Sequence, residues 1–213
     1  MIVIFDLDDT LYDERSFVES GLRAVSQLGL ESFGLDADAS FSFMMRVLEA
    51  DGRGRIFDDW LAEHGLRTKR RVAECIKSYR YHLPDIIMPK PHRDLLERLR
   101  RSHPLYLVTD GHKIAQHRKV EALGIAPCFR RVFITHRFGI AQAKPSLYCF
   151  ERIKQSEGCD WSQMLYVGDN PAKDFVNLNK VGAVTIRVHT GVHADVAAKP
   201  GFDATHHIER LTD

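Results

Sequence analysis

The feature that most constrains the fold of this 213-residue chain is an alternation. Short apolar runs rich in β-branched residues, each closing on or near a polar residue, are separated by stretches with helical spacing. The runs are Ile2 to Asp6, Leu105 to Asp110, Arg131 to His136, Met164 to Asp169 and Ala183 to Val188. Runs of this length, bounded by turn residues, fit strands of a parallel sheet buried on both faces. Between them lie helical patterns: Leu95, Leu96 and Leu99; Ile114, Val120 and Leu123; Leu147, Phe150 and Ile153; Phe175, Val176 and Leu178. Strand and helix in alternation imply an α/β, doubly wound parallel sheet.

Residues 14–88 break that rhythm, with no convincing strand. Four apolar stripes replace it: Phe17, Val18, Leu22, Val25 and Leu28; Met44, Val47 and Leu48; Ile56, Phe57, Trp60 and Leu61; and Val72, Ile76, Tyr79 and Leu83. Gly52, Gly54 and Gly65 punctuate them, and Pro84, Pro89 and Pro91 mark the return. The expected organisation is a core from residues 1–13 and 89–213 carrying a small all-helical insertion, 14–88.

Composition narrows the function classes. With 30 Lys+Arg against 29 Asp+Glu the formal charge is only +1, so no bulk field favours nucleic acid or an anionic membrane. Arg67, Lys69, Arg70 and Arg71 form a basic run without interleaved aromatics, read as a solvated face. The N-terminal run turns acidic too soon for a signal peptide, no window matches a membrane span, and the four cysteines lack CxxC spacing. A reducing cytoplasm is the expected compartment.

The polar residues closing the runs carry the chemistry. Asp6, Asp8 and Asp9 end the first run, where ligands bind in open α/β sheets, and period-2 alternation sends Asp6 and Asp8 the same way. Two carboxylates so close repel unless a cation lies between them. Thr109, Asp110 and Gly111 end the second run. Lys144-Pro145 supplies an ammonium at an expected helix start, with Pro145 in its first position. Asp169 ends the fourth run, Asn170 is expected to cap the next helix, and Asp174 to sit in its first turn. The histidine pairs His189/His193 and His206-His207 are read as lying away from these motifs.

Taken in order, these residues resemble the haloacid dehalogenase (HAD) superfamily of phosphohydrolases. Its motifs match as DxDxT at Asp6 to Thr10, a strand ending in Thr109, the Lys144-Pro145 pair, and GDx4D from Gly168 to Asp174. The loop from His136 to Ala143 is longer than the family's common form. The resemblance implies a HAD-like Rossmannoid core with a C1-type helical cap. It implies Asp6 as nucleophile through an aspartyl-phosphate, Asp8 as acid and base, and Thr109, Asp110 (by its backbone N–H) and Lys144 as the phosphoryl grip. It further implies Mg²⁺ held by Asp6, the Asp8 carbonyl, Asp169 and Asp174. Asp8 favours an alkoxide leaving group over a halide. The expected enzyme is thus a phosphomonoester phosphatase acting on a small phosphorylated metabolite, such as a sugar phosphate or nucleoside monophosphate. A phosphomutase or phosphotransferase, and a non-enzymatic phospho-acceptor signalling domain, are the alternatives. The Gly52–Arg55 turn is a candidate for contacting substrate, and the choice of monomer or homodimer stays open.

Overall fold

A computed structural model describes all residues, 1–213. Its chain divides into two compact units, one of residues 1–14 and 87–213 and one of residues 15–86.

The first unit is built on a six-stranded parallel sheet. In chain order the strands are β1 (Ile2–Phe5), β2 (Leu105–Thr109), β3 (Arg131–Ile134), β4 (Met164–Gly168), β5 (Val184–Val188) and β6 (His206–Ile208). Their spatial order is β3-β2-β1-β4-β5-β6. The expected α/β sheet is therefore present, with β6 as an addition. Three residues, two of them histidine, are too few to show a period, and β6 is fixed by pairing Ile186 to Val188 with His206 to Ile208.

Every residue of β1 and β2 is buried, as strands covered on both faces must be. Alternation sorts them. Ile2 and Ile4, Tyr106 and Val108, Phe133, and Met164 and Tyr166 share one core cluster with Cys149, Phe150, Ile153, Phe175 and Leu178. The last five belong to, or abut, the helices α7 (Tyr148–Glu157) and α8 (Val176–Lys180). The helices α5 (Lys90–Leu99) and α6 (Lys113–Leu123) bury Leu95, Leu96, Val120 and Leu123.

The strand order puts β1 between β2 and β4, and from there successive strands run outward in both directions. That is the topological switch point, where the crossovers leave a crevice outside the carboxyl ends of the strands. The Asp6 N–H donates to the Val167 carbonyl at 2.8 Å, so the Asp6 side chain starts where β1 and β4 stop pairing.

The second unit is all helical: α1 (Glu14–Phe33, counted from its first turn), α2 (Ala37–Asp51), α3 (Ile56–Glu63) and α4 (Lys69–Tyr81). Its core holds Val18, Leu22, Val25, Met44, Ile56, Trp60, Leu61 and Cys75, one stripe from each helix. Asp36 accepts from the Ala39 N–H at 2.8 Å and Thr68 from the Arg71 N–H at 3.2 Å, capping α2 and α4. No helix of either unit is long and apolar enough to cross a membrane. All four cysteines are free thiols.

Close approach, rather than helical spacing alone, sets the packing of α1. A Cβ at Gly29 would lie 2.7 Å from the Trp60 ring, and one at Gly21 2.4 Å from the Tyr79 ring. Helix propensity alone would favour Gly29→Ala by about 0.5–1 kcal/mol. Overpacking a wholly buried indole typically costs about 1–3 kcal/mol, so the substitution is expected to destabilise. Denaturant unfolding of Gly29→Ala checks the sign.

Candidate active site

Three carboxylates and one ammonium converge at the switch point. Asp6 follows β1, Asp169 follows β4, Asp174 lies in the turn beyond it, and Lys144 arrives from the connection between β3 and α7. All four are buried. One oxygen from each of Asp6, Asp169 and Asp174 lies within 4.8 Å of the others. The Lys144 Nζ stands 2.9 Å from Asp6 Oδ1 and 2.7 Å from Asp174 Oδ1, and it donates to the Tyr166 hydroxyl at 2.9 Å.

The charges in this cluster do not cancel. Burial penalises the ionised form of Asp6, and although Lys144 opposes it, the Asp6 pKa is pushed up to about 7. Asp169, buried beside Asp6 and Asp174, is pushed up to about 9. Burial works against the charge of Lys144, but Asp174 and Asp6 outweigh it and hold its pKa well above the ordinary value. Three carboxylates against one ammonium form an all-oxygen donor set with unrelieved negative charge, which fits a hard divalent cation such as Mg²⁺.

The local backbone differs from the expected one in three ways. Strand β1 ends at Phe5, so alternation does not extend to Asp8. The Asp8 carboxylate lies outside the carboxylate group, accepting instead from Tyr12, Lys119 and Gln116. Pro145 does not open a helix: the Lys144-Pro145 peptide is cis, and α7 begins only at Tyr148. Nor does Asn170 cap a helix. Residues 170–175 form a turn before α8, in which Asn170 Oδ1 accepts from the Ala172 N–H at 2.9 Å and Asp174 Oδ2 from the Asn170 N–H at 2.9 Å. Gly168 makes room for this fold-back, since a Cβ there would sit 2.6 Å from Asp174 Oδ2.

Thr109 is fully buried, and its Oγ1 accepts from Gln116 Nε2 at 2.6 Å. Asp110 accepts from Thr135 Oγ1 at 2.7 Å and from the Lys144 backbone N–H at 3.1 Å, and it pairs with Lys173 at 3.3 Å. Burial opposes its charge, but Lys144, Lys173 and these donors hold its pKa below the ordinary carboxylate value. The Gly52–Arg55 turn belongs to the helical unit, where Arg55 pairs with Asp59 at 3.1 Å.

Several residues around the site receive no role from the sequence. Asp9 has a left-handed φ of 53°, accepts from the Glu14 N–H at 2.9 Å and the Val192 N–H at 3.3 Å, and its carbonyl accepts from Thr190. Gly191 fits against it because a Cβ would fall 2.0 Å from Asp9 Cγ. His193 is not remote from the motifs: its Nε2 lies 2.7 Å from Asn170 Nδ2. Tyr166, Gln116 and Lys119 are the other additions.

A family model for haloacid dehalogenase-like hydrolases matches residues 1–182. The chain belongs to that family. Among curated relatives of this hydrolase, a glyceraldehyde 3-phosphate phosphatase of Methanocaldococcus jannaschii is 29% identical over 218 residues, covering 99% of this chain and 95% of the relative. A phosphoserine phosphatase of Thermus thermophilus is 30% identical over 145 residues, 67% of this chain and 57% of the relative. Among solved structures, the magnesium-bound HAD-hydrolase YfnB of Bacillus subtilis shares the fold with a TM-score of 0.70. It is 19% identical, and the match covers 99% of this chain and 94% of YfnB.

The raised carboxyls give the metal-free hydrolase a pH signature. With folded values of about 7 for Asp6 and about 9 for Asp169 against an ordinary 3.8, the folded state binds more protons than the unfolded one between those limits. Stability then falls as pH rises. Melting temperatures measured in chelator are expected to drop steadily from about pH 5 to pH 9. Replacing Asp169 with Asn should flatten the slope.

Proposed function

We propose that this hydrolase is a Mg²⁺-dependent phosphatase of small phosphorylated metabolites that works through an aspartyl-phosphate on Asp6. It is a phosphoric monoester hydrolase of the haloacid dehalogenase-like family. The observation that carries the residue assignment is the pairing of Asp6 with Lys144 at 2.9 Å, inside a carboxylate group at the switch point. A carboxylate there can approach a phosphorus atom only if the negative charge of both is offset.

In this reading one Asp6 oxygen attacks phosphorus, and the bond from phosphorus to the ester oxygen breaks as Asp8 gives that oxygen a proton. Asp8, now ionised, takes a proton from water. The resulting hydroxide attacks the aspartyl-phosphate, releasing inorganic phosphate and restoring Asp6. Lys144 and Thr109, with the Asp110 N–H, hold the phosphoryl oxygens and balance their charge as the geometry inverts. Mg²⁺, held by Asp6, Asp169, Asp174 and the Asp8 carbonyl, would add charge neutralisation at those same oxygens.

Asp8 also argues for an ester over a halide, since halide departs without a proton. The names of the relatives point to a three-carbon sugar phosphate as the first substrate to try. We assign the helical unit, residues 15–86, the cap role of selecting the leaving group.

Phosphate release from glyceraldehyde 3-phosphate, other sugar phosphates, nucleoside monophosphates and phosphoserine tests the reading. Turnover is expected with Mg²⁺ and not in chelator. Asp6→Asn should retain the fold and lose at least about 10³-fold in kcat, as removal of a nucleophile does. Free phosphate, rather than an isomerised sugar phosphate, separates hydrolysis from mutase chemistry. Residual turnover by Asp6→Asn within tenfold of wild type would remove the nucleophile assignment.

A further inference from the structure

Asp8 is held by a polar cluster separate from the one around Lys144. Its Oδ1 accepts from the Tyr12 hydroxyl at 2.7 Å and from Lys119 Nζ at 2.7 Å, and its Oδ2 accepts from Gln116 Nε2 at 2.7 Å. Gln116 and Lys119 stand one turn apart on α6, so their side chains leave the same face of the helix. Both are buried, at 2% exposure each. Lys119 also pairs with Glu14 at 3.0 Å, and Gln116 Nε2 also donates to Thr109 Oγ1 at 2.6 Å.

Neither residue belongs to a motif read from the sequence, and neither is explained by packing. Burying an ammonium is costly unless its partners are well placed, and an apolar side chain would normally serve a helix face as well. What the two residues do is fix a carboxylate that the backbone leaves loose. Asp8 lies beyond the end of β1, where its backbone has only an isolated bridge to Tyr12. An unheld aspartate samples several rotamers, and a displacement of about 1 Å at a reacting group can cost about a hundredfold in rate.

We propose that Gln116 and Lys119 are positioning residues for the proton-transfer step, an inference that rests on the phosphatase reading above. A carboxylate offers about four lone-pair directions. Three are taken by Tyr12, Lys119 and Gln116, which leaves one for the proton exchanged with the ester oxygen and later with water. Gln116 does a second thing. By donating to a lone pair of Thr109 it leaves the hydroxyl hydrogen of that residue to be given to a phosphoryl oxygen. The acid and the phosphoryl donor are thereby locked to one amide, and their spacing is set by a single side chain.

Leaving-group dependence separates this role from a structural one. The quantity to measure is kcat/KM, which reports steps up to the phosphoenzyme, for an alkyl phosphate and for p-nitrophenyl phosphate, whose leaving group departs without an acid. Gln116→Leu and Lys119→Met are expected to lower kcat/KM for the alkyl ester about 10–100-fold, within the range of a lost acid. For the aryl ester the change should stay within about threefold in Lys119→Met, whereas Gln116→Leu, which also releases Thr109, should lose activity on both esters but more on the alkyl one. Lys119→Arg should recover part of the alkyl activity, and it carries the test with Gln116→Leu should Lys119→Met not fold. Combined with Asp8→Asn, Lys119→Met should add no further loss. Equal losses on both esters in Gln116→Leu and Lys119→Arg, with Asp8→Asn itself selective for the alkyl ester, would overturn the positioning role alone. If Asp8→Asn loses both esters equally, the acid assignment falls and the inference with it. A wild-type enzyme that turns over neither ester would overturn the phosphatase reading.

Discussion

Lys144 and the three carboxylates around it set the terms for the rest of the core. Its ammonium lies under 3 Å from both Asp6 and Asp174, and all three side chains are buried. Buried charges persist only when paired, and here the pairing is incomplete by design of the residues present. Burial first, and then the neighbouring carboxylates, push Asp6 and Asp169 above the ordinary value. Such a site costs stability. The same low dielectric that penalises the unpaired carboxylates would strengthen their attraction for a cation placed among them.

Two aspartates only two residues apart, Asp6 and Asp8, answer to different lysines. Asp6 pairs with Lys144 and Asp8 with Lys119, and the donors to each do not overlap. This division comes from the end of β1 at Phe5, which frees the backbone to turn between them. The turn is stabilised farther on, where Asp9 in its left-handed conformation is clasped by Thr190, Gly191 and Val192. A strand that continued through Asp8 would have sent both carboxylates to one place, with no separate environment for each.

The sheet was legible because its strands are buried on both faces and so appear as unbroken apolar runs. Asp6, Thr109 and Asp169 could be picked out because each lies at or near the end of such a run, and Lys144 and Asp174 because each lies at an expected helix start. Local detail was harder. The sequence Asn-Pro-Ala-Lys-Asp after β4 reads as a capped helix start, yet reciprocal hydrogen bonds between Asn170 and Asp174 close a turn first. Gln116, Lys119 and Tyr166 gave no signal at all, and His193 reads as lying away from the motifs. Their roles depend on partners far away in sequence, such as Lys119 with Asp8, and no spacing rule connects those positions. Gly21 and Gly29 likewise look like weak points of α1 until the rings of Tyr79 and Trp60 are placed against them.

The position of β1 has a consequence for how the chain is made. It is first in sequence but third in the sheet, flanked by strands that begin at Leu105 and Met164. During synthesis β1 therefore emerges with both hydrogen-bonding edges open, and it stays half paired until β4 arrives. Asp6 must likewise wait for Lys144 to find a counter-charge. A ribosome-bound fragment ending before β4 holds every residue of the helical core, which is drawn from one continuous stretch, but it cannot close the centre of the sheet. The site is thus assembled late, by residues from the far half of the chain closing on a strand made at the start.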